Sequence, residues 1–208
     1  MRSNTNSTSV RAPSGALFTL GSRVAKWRFL VLMALPALVA CDEDPFKIQW
    51  AASPDTVLLY SLARPELNLL SAFDFVHRFP IRIESPAASN EWDMAVDTED
   101  GQLVLLPPGA VGISNSKAAV SPMPGVAFDD IRKAPADTAL YIRDRSVHMT
   151  VGTTYVIRTR QEIGIYGTLC VYFGKLKPIS ADPVAGTLTF VYDVSPACND
   201  RNLTPTIK

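Results

Sequence analysis

Residues 170–198 read CVYFGKLKPISADPVAGTLTFVYDVSPAC, and this stretch decides the fold. It consists of two runs rich in β-branched and aromatic residues on either side of Asp182, Pro183 and Gly186. Runs of that composition, bounded by turn residues, predict two antiparallel strands joined by a short connection. We therefore expect a β-hairpin centred on Val184.

The register of this hairpin places two cysteines opposite each other. A turn centred on Val184 pairs Leu176 with Tyr192 on an apolar face and brings Cys170 opposite Cys198 at the open end. The third cysteine, Cys41, lies in the N-terminal segment discussed below, which leaves Cys170 and Cys198 as the two cysteines of the domain. In an oxidising compartment such a pair predicts a disulfide. Two unrelated buried thiols are the alternative.

The rest of the chain also favours strands. Alternating or β-branched segments bounded by Pro, Gly, Asp and Asn occur at 81–84, 140–144, 154–160 and 187–193, whereas helical periodicity is scarce. Sixteen prolines punctuate the chain, and residues 107–135 contain no predicted element. A loop of that length is usually functional or mobile. The sequence therefore predicts an all-β fold, a single antiparallel β-sandwich-like domain with long loops.

The N-terminus has the features of an export signal. Residues 1–40 contain five basic and no acidic residues, and they end in the twelve-residue apolar run 29–40. Twelve residues rise about 18 Å as a helix, too short for a hydrocarbon core of roughly 30 Å. The run ends Leu38-Val39-Ala40-Cys41, which resembles the lipobox at which bacterial lipoproteins are cleaved and acylated. A short buried helix with a core cysteine is the alternative.

This signal predicts the organisation and the location of the protein. We expect a signal peptide at 1–40, a lipidated tether at 41–53 and a β domain at 54–208. Cys41 would carry diacylglycerol and palmitate, which anchor the chain in a membrane of the cell envelope on its periplasmic or cell-surface side. Residues 41–208 keep a net charge of −5 and have no basic run, so nucleic acid is not an expected partner.

Motifs of enzymes are scarce. Ser114 and Lys117 have the serine-x-x-lysine spacing of penicillin-recognising enzymes, but the partner motifs of those enzymes are missing. No nucleophile elbow, zinc-protease helix, CxxC pair or phosphate loop occurs in the sequence. We therefore expect a protein that is not an enzyme, and no cofactor follows from these motifs.

An ordered set of short segments resembles the HmuY family of β-rich lipoproteins, whose best-known members capture haem at the cell surface. The set begins with the tryptophan-aspartate signature at 90–95 and the strand pair that precedes it. A tyrosine-valine strand, an alanine-lysine strand and a closing strand follow. In this sequence they are AFDF (72–75) with IRI (81–83), NEWDMA (90–95), GTTYVIRT (152–159), GKLK (174–177) and GTLTFVY (186–192).

The resemblance implies a haem site that this chain matches only in part. Haem-binding members carry a histidine pair between the tryptophan-aspartate strand and the tyrosine-valine strand. Here that segment offers His148, which we take as the candidate haem ligand, followed by Met149, whereas His77 matches no ligand position. Adjacent residues on a strand point to opposite faces, so His148 and Met149 are not expected to sandwich one iron. The cysteine pair and the insert 161–169 have no counterpart in the family pattern.

The signature also predicts a core position. Because side chains alternate along a strand, we expect Trp92 to be buried with Met94 on the same face and Asp93 on the other.

Two functional hypotheses remain. The first is an HmuY-like, membrane-anchored, non-catalytic ligand-binding module with haem as its candidate ligand. The alternative is a structural or protein-interaction lipoprotein of the same fold without a cofactor.

Overall fold

The computed structural model describes residues 48–88 and 90–207 and confirms the all-β class. In this part of the chain there are twelve strands and no α-helix. The predicted signal peptide and Cys41 lie outside the described residues. Within those residues, no helix has the length and apolarity needed to cross a membrane.

The strands are short, apart from the two of the C-terminal hairpin. They are β1 Asp55–Tyr60, β2 Ala72–Asp74, β3 Phe79–Ile81, β4 Met94–Glu99, β5 Gln102–Leu106, β6 Ala119–Met123, β7 Val147–His148, β8 Thr154–Arg158, β9 Glu162–Ile163, β10 Leu169–Cys170, β11 Phe173–Asp182 and β12 Thr187–Val194. Five 3-10 turns connect them, at Pro86–Ala88, Pro108–Val111, Phe128–Asp130, Thr138–Leu140 and Ile165–Gly167.

Two five-stranded antiparallel sheets pack face to face as a β-sandwich. The first sheet has the order β1-β12-β11-β8-β6, and the second has the order β3-β2-β4-β5-β7. Strands β9 and β10 form a separate two-stranded hairpin. Side chains from both sheets meet in one fully buried core between them, which includes Phe73 and Met94 from the second sheet and Tyr155, Leu176 and Phe190 from the first.

The C-terminal hairpin has the predicted register. Leu176 pairs with Tyr192, and the ladder keeps this register from Gly174 to Pro178, after which a bulge shifts it by one residue. Beyond the open end, Cys170 and Cys198 form a disulfide with their Cα atoms 5.0 Å apart. The predicted pairing of these cysteines is therefore confirmed.

The first half of β4, Met94–Val96, and residues Leu103–Leu106 of β5 are buried on both faces, which explains why these stretches are apolar throughout. Met94 and Val96 point into the sandwich core, whereas Ala95 packs on the outer face of the second sheet. Trp92 is 2% exposed, as expected. The prediction that it shares a face with Met94 is wrong, because Trp92 packs with Ala95 on the outer face. Strand β4 begins only at Met94, so strict alternation does not extend back to Trp92.

Three predictions of local structure are wrong in detail. Of the predicted strand 81–84, only Ile81 lies in β3, and residues 140–144 make a single bridge from Ile142 to Val120. The segment 107–135 contains strand β6, which pairs with β8. Strand β6 lies at the edge of its sheet, and its outer side is bridged only at Val120, by Ile142. A proline such as Pro122 is tolerated there because its missing N–H leaves no ladder hydrogen bond unmade on that side.

The folded domain begins earlier than the predicted boundary at 54. Trp50, assigned to the tether, is 8% exposed, and its backbone N–H donates to Thr206 Oγ1 at 2.8 Å. Ala51 forms a parallel bridge with Ile207. The C-terminal segment therefore fixes the chain from Trp50 onward, and within the described residues that part of the predicted tether packs on the domain.

Candidate functional site

A buried ion cluster joins the two sheets beside the tryptophan-aspartate signature. We define it as Asp74, Asp93 and Arg160, with His77 and Glu162 at its rim. Asp74 and Asp93 are fully buried, and Arg160 is 6% exposed. Asp74 ends β2 and Asp93 precedes β4 in the second sheet, whereas Arg160 follows β8 of the first. The cluster thus connects one sheet to the other.

The guanidinium of Arg160 donates hydrogen bonds to three carboxylates. Its Nη1 donates to Asp74 Oδ1 at 3.0 Å and to Asp93 Oδ2 at 3.2 Å. Its Nη2 donates to Asp74 Oδ2 at 3.0 Å and to Glu162 Oε1. The pair of hydrogen bonds to Asp74 is bidentate, a geometry that the planar guanidinium provides and that a lysine ammonium would not reproduce. Arg160 therefore neutralises charge that burial would otherwise make costly.

Backbone groups complete the environment of the two aspartates. Asp93 Oδ1 accepts from the backbone N–H of Arg160 at 2.7 Å, and Asp93 Oδ2 accepts from that of Phe75 at 2.8 Å. Asp74 Oδ1 accepts from the backbone N–H groups of Val76 and His77, at 2.9 and 3.0 Å, as in an Asx turn. The aspartates thus fix the turn after β2 and the entry into β4.

The cluster shifts the pKa values of its members in different directions. Burial alone would raise the pKa of Asp74, but hydrogen bonds from Arg160 and His77 outweigh it and leave the pKa below its ordinary value. Burial raises the pKa of Asp93 to about 6, against the lowering effect of Arg160. The hydrogen bond with Asp74 raises the pKa of His77. A charged His77 is therefore favoured beside the ionised Asp74.

The rim of the cluster has donor atoms of the kinds that bind metals. One donor atom each from Asp74, His77 and Glu162 lies within 4.8 Å of the others. However, His77 Nδ1 is already 2.7 Å from Asp74 Oδ2, and Arg160 donates to both carboxylates. Because a cation at this rim would lie beside the guanidinium, we interpret the arrangement as an internal ion-pair network.

The insert 161–169 and the disulfide form one unit. The insert folds as the β9–β10 hairpin, in which Glu162 pairs with Cys170, and the disulfide ties this hairpin to the segment after β12. A Cβ atom on Gly164 would overlap the Cys170 sulfur, so a side chain there is excluded by the disulfide itself. Ile163, Ile165 and Leu169 are 78%, 78% and 57% exposed on this hairpin. The unit therefore presents a fixed apolar surface to solvent.

An apolar groove borders edge strand β3. Its volume is about 510 Å³, in the range of small-molecule sites. Pro80 lacks a backbone N–H, which makes β3 a poor template for an added strand. Polar side chains are confined to three positions, of which Glu91 lies 3.6 Å from Arg160. The lining comprises Leu70, Phe79, Pro80, Ile81 and Ala88 with the polar Arg82, Ser85 and Glu91.

The candidate haem ligand does not lie at this groove. His148 is exposed on β7 and pairs with Val104 of β5, whereas the adjacent Met149 packs against the sandwich core. Strands β3 and β7 are opposite edges of the second sheet, four strand spacings or about 19 Å apart. His148 and Met149 therefore point to opposite faces of the second sheet, as alternation along the strand predicts. Both lie at the edge of the sheet that is far from the apolar groove.

The sequence does not predict the buried ion cluster, although most of its residues lie in segments with a recognisable pattern. Asp74 and Asp93 lie inside the family-like segments, and Glu162 lies inside the insert. The one local sign of a buried charge is an acidic residue between two apolar residues, as in Phe73-Asp74-Phe75. All three of these side chains are buried. No local sequence pattern indicates that these aspartates pair with Arg160, because Arg160 lies 86 residues from Asp74 and 67 residues from Asp93.

The chain was compared with family models, curated proteins and solved structures, and none of these comparisons finds a match.

Proposed function

We propose that this chain is an exported lipoprotein of the cell envelope, anchored through Cys41, whose β-sandwich is a non-catalytic binding module of HmuY-like type. The observation that carries the proposal is the acid-free basic leader that ends in an apolar run and Cys41. Acyl chains on that cysteine would add about 0.8 kcal/mol of membrane affinity per buried methylene. Several chains on one residue therefore hold a folded domain at a membrane.

The disulfide supports export. Disulfides persist in oxidising compartments such as the periplasm and the cell surface and are rare in the reducing cytosol. Cys170 is 2% exposed and pairs with Cys198, and the amide of Asn199 bonds the backbone of Leu169 and Val171 beside it. The bond is thus an integral part of the domain and fits a protein that folds after export.

The use of charged groups supports a binding role over a catalytic one. The two fully buried carboxylates of the ion cluster, Asp74 and Asp93, both accept hydrogen bonds from Arg160 and from backbone N–H groups. A general base needs a free lone pair within reach of a substrate proton, and these carboxylates are fully buried. The apolar groove along β3 offers instead a concave surface for a ligand.

Haem is the candidate ligand. The two features that a haem site needs, an apolar surface and an iron ligand, lie at different places in this domain. The apolar surface suited to a porphyrin lies at the β3 groove, whereas His148, suited to the iron, lies at the opposite edge of the sheet. Titration of haemin into the wild type, His148→Ala and His77→Ala, followed at the Soret band, tests the assignment. Loss of the band shift in His148→Ala alone would support haem ligation by His148. Equal shifts in all three would exclude it.

The alternative, a protein-interaction lipoprotein without a cofactor, is favoured by one observation. The β9–β10 hairpin exposes three large apolar side chains on a support fixed by the disulfide. A photocrosslinking residue at Ile165 is expected to capture a partner in the cell envelope, whereas the same residue at Val184, 98% exposed on another hairpin, is the matched control. Identical crosslinks at both positions, or none at Ile165, would contradict this alternative.

The anchor itself has a direct chemical test. Mass spectrometry of the chain purified from membranes is expected to show an N-terminal peptide that begins at Cys41 and carries diacylglycerol. A purified chain that retains residues 1–40 would contradict the proposal.

A further inference from the structure

A second cavity, of about 360 Å³, lies at the outer edge of the first sheet. Its lining includes four basic side chains, those of Lys117, Arg143, Arg145 and Arg158, but only one acidic side chain, that of Asp144. Residues 41–208 as a whole carry a net charge of −5, so this cationic cavity has the opposite sign to the domain around it. A local excess of positive charge in a concavity concentrates anions.

The positive charge of the cationic cavity is largely uncompensated. Arg145 and Asp144 approach to 3.6 Å, but both side chains are about 70% exposed, so water screens their attraction. In the part of the chain that the structure describes, Lys117, Arg143 and Arg158 have no carboxylate within 4.0 Å. These three cations are therefore available to a ligand.

Arg158 supplies a second, independent observation. Its Nε is buried and has no hydrogen-bond partner among the described residues. A buried donor without an acceptor is costly, and it is usually satisfied by water or by an ion from outside the chain. Because Arg158 lines the cationic cavity, a bound anion would neutralise this guanidinium, which has an unsatisfied donor within the chain.

The walls of the cationic cavity belong to regular structure. Arg158 lies on β8 opposite Ala119 of β6, and β6 is bonded in turn to the segment that carries Arg143 and Arg145. Two reciprocal hydrogen bonds make this connection, from Val120 N–H to Ile142 O at 2.9 Å and back at 2.8 Å. The basic side chains are therefore presented from a sheet edge with a fixed backbone.

We propose that the cationic cavity binds a phosphate group, either as a free anion or as part of a lipid headgroup. Guanidinium groups bind phosphate oxygens through paired N–H donors, and two arginines and a lysine without carboxylate partners match a multiply charged tetrahedral anion better than a single carboxylate. The neutral hydroxyl of Tyr141, also in the lining, donates to Pro135 O at 3.3 Å. This site is distinct from the β3 groove and does not depend on the proposed anchor.

The test uses the ¹⁵N-labelled full chain in micelles of a non-ionic detergent. Inorganic phosphate and dihexanoyl phosphatidic acid are titrated separately, each against chloride at equal ionic strength, and the Nε–H resonance of Arg158 is followed. A saturable shift with either probe supports the site, and the probe that binds identifies the source of the phosphate. No saturable shift with either probe would overturn the proposal.

Two variants make the test specific. Arg143→Gln removes one exposed cation of the cationic cavity and should weaken binding about tenfold, the effect of losing one hydrogen bond to a charged group. Arg132→Gln removes an exposed arginine that does not line the cavity and should leave binding unchanged. Equal weakening in both variants would mean diffuse attraction to surface charge and would overturn the site.

Discussion

Replacing Arg160 with methionine should destabilise the domain more than any other single loss of charge in the buried ion cluster. Methionine keeps an unbranched chain of similar reach but removes the guanidinium. Asp74 and Asp93 would then be fully buried without the cation that now donates to both. Breaking a buried pair by removing one partner typically costs about 3 to 5 kcal/mol, because the remaining charge is uncompensated.

The structure gives no reason to reduce this magnitude for solvent exposure. The side chain of Arg160 is 7% exposed and those of Asp74 and Asp93 are 0% exposed, so water does not screen the pairs. The backbone N–H at position 160, which donates to Asp93 at 2.7 Å, does not depend on the side chain and should be kept in the variant. We therefore expect a loss near the middle of that range, about 4 kcal/mol.

Urea unfolding followed by tryptophan fluorescence measures the effect. Arg64→Met is the matched control, since Arg64 pairs with Glu66 at the surface and its loss should change stability far less. Adding Asp74→Asn to Arg160→Met should recover part of the loss by removing one buried charge. A loss below about 1 kcal/mol in Arg160→Met, or equal losses in both single variants, would show that the cluster does not stabilise the fold.

Three further changes test other parts of the structure. Serine at both Cys170 and Cys198 opens a loop of 28 residues and should cost about 3.5 kcal/mol, and an unchanged urea midpoint under oxidising conditions would contradict this. Trp92→Ala removes a side chain that is 2% exposed and should cost about 3 to 5 kcal/mol, so a variant that melts with the wild type would refute its core role. Because the pKa of His77 is raised in the folded state, its contribution is complete below about pH 6.5 and is lost as pH rises through the folded pKa. The difference in urea midpoint between wild type and His77→Gln should therefore shrink from about pH 6 to about pH 9, and a constant difference would contradict the pairing with Asp74.

The strands that could be predicted are those with local, unambiguous patterns. The β11–β12 hairpin has alternating apolar positions and one turn, so its register and the Cys170–Cys198 pairing followed from the sequence. Strand β6 was missed because Pro122 lies within it, and the sequence does not show that an edge position tolerates this proline.

The buried ion cluster could not be predicted from local sequence. Its bonds join Arg160 to Asp74 and Asp93, and only the packing of the two sheets brings these residues together. Trp92 packs on the outer face with Ala95 because it precedes the start of β4 at Met94, whereas strand periodicity alone predicts the face of Met94. The cationic cavity likewise depends on the bridge between Val120 and Ile142, which connects two segments with no shared pattern.

The central claim, that the protein is an envelope lipoprotein anchored through Cys41, is tested most directly by labelling with palmitate in a bacterial host. Wild type, Cys41→Ser and the control Cys170→Ser are expressed with the label, and detergent partitioning is followed in parallel. Wild type and Cys170→Ser should be labelled and enter the detergent phase, whereas Cys41→Ser should do neither, since the proposed anchor is attached to the Cys41 thiol. A Cys41→Ser chain labelled as strongly as the wild type would contradict the account.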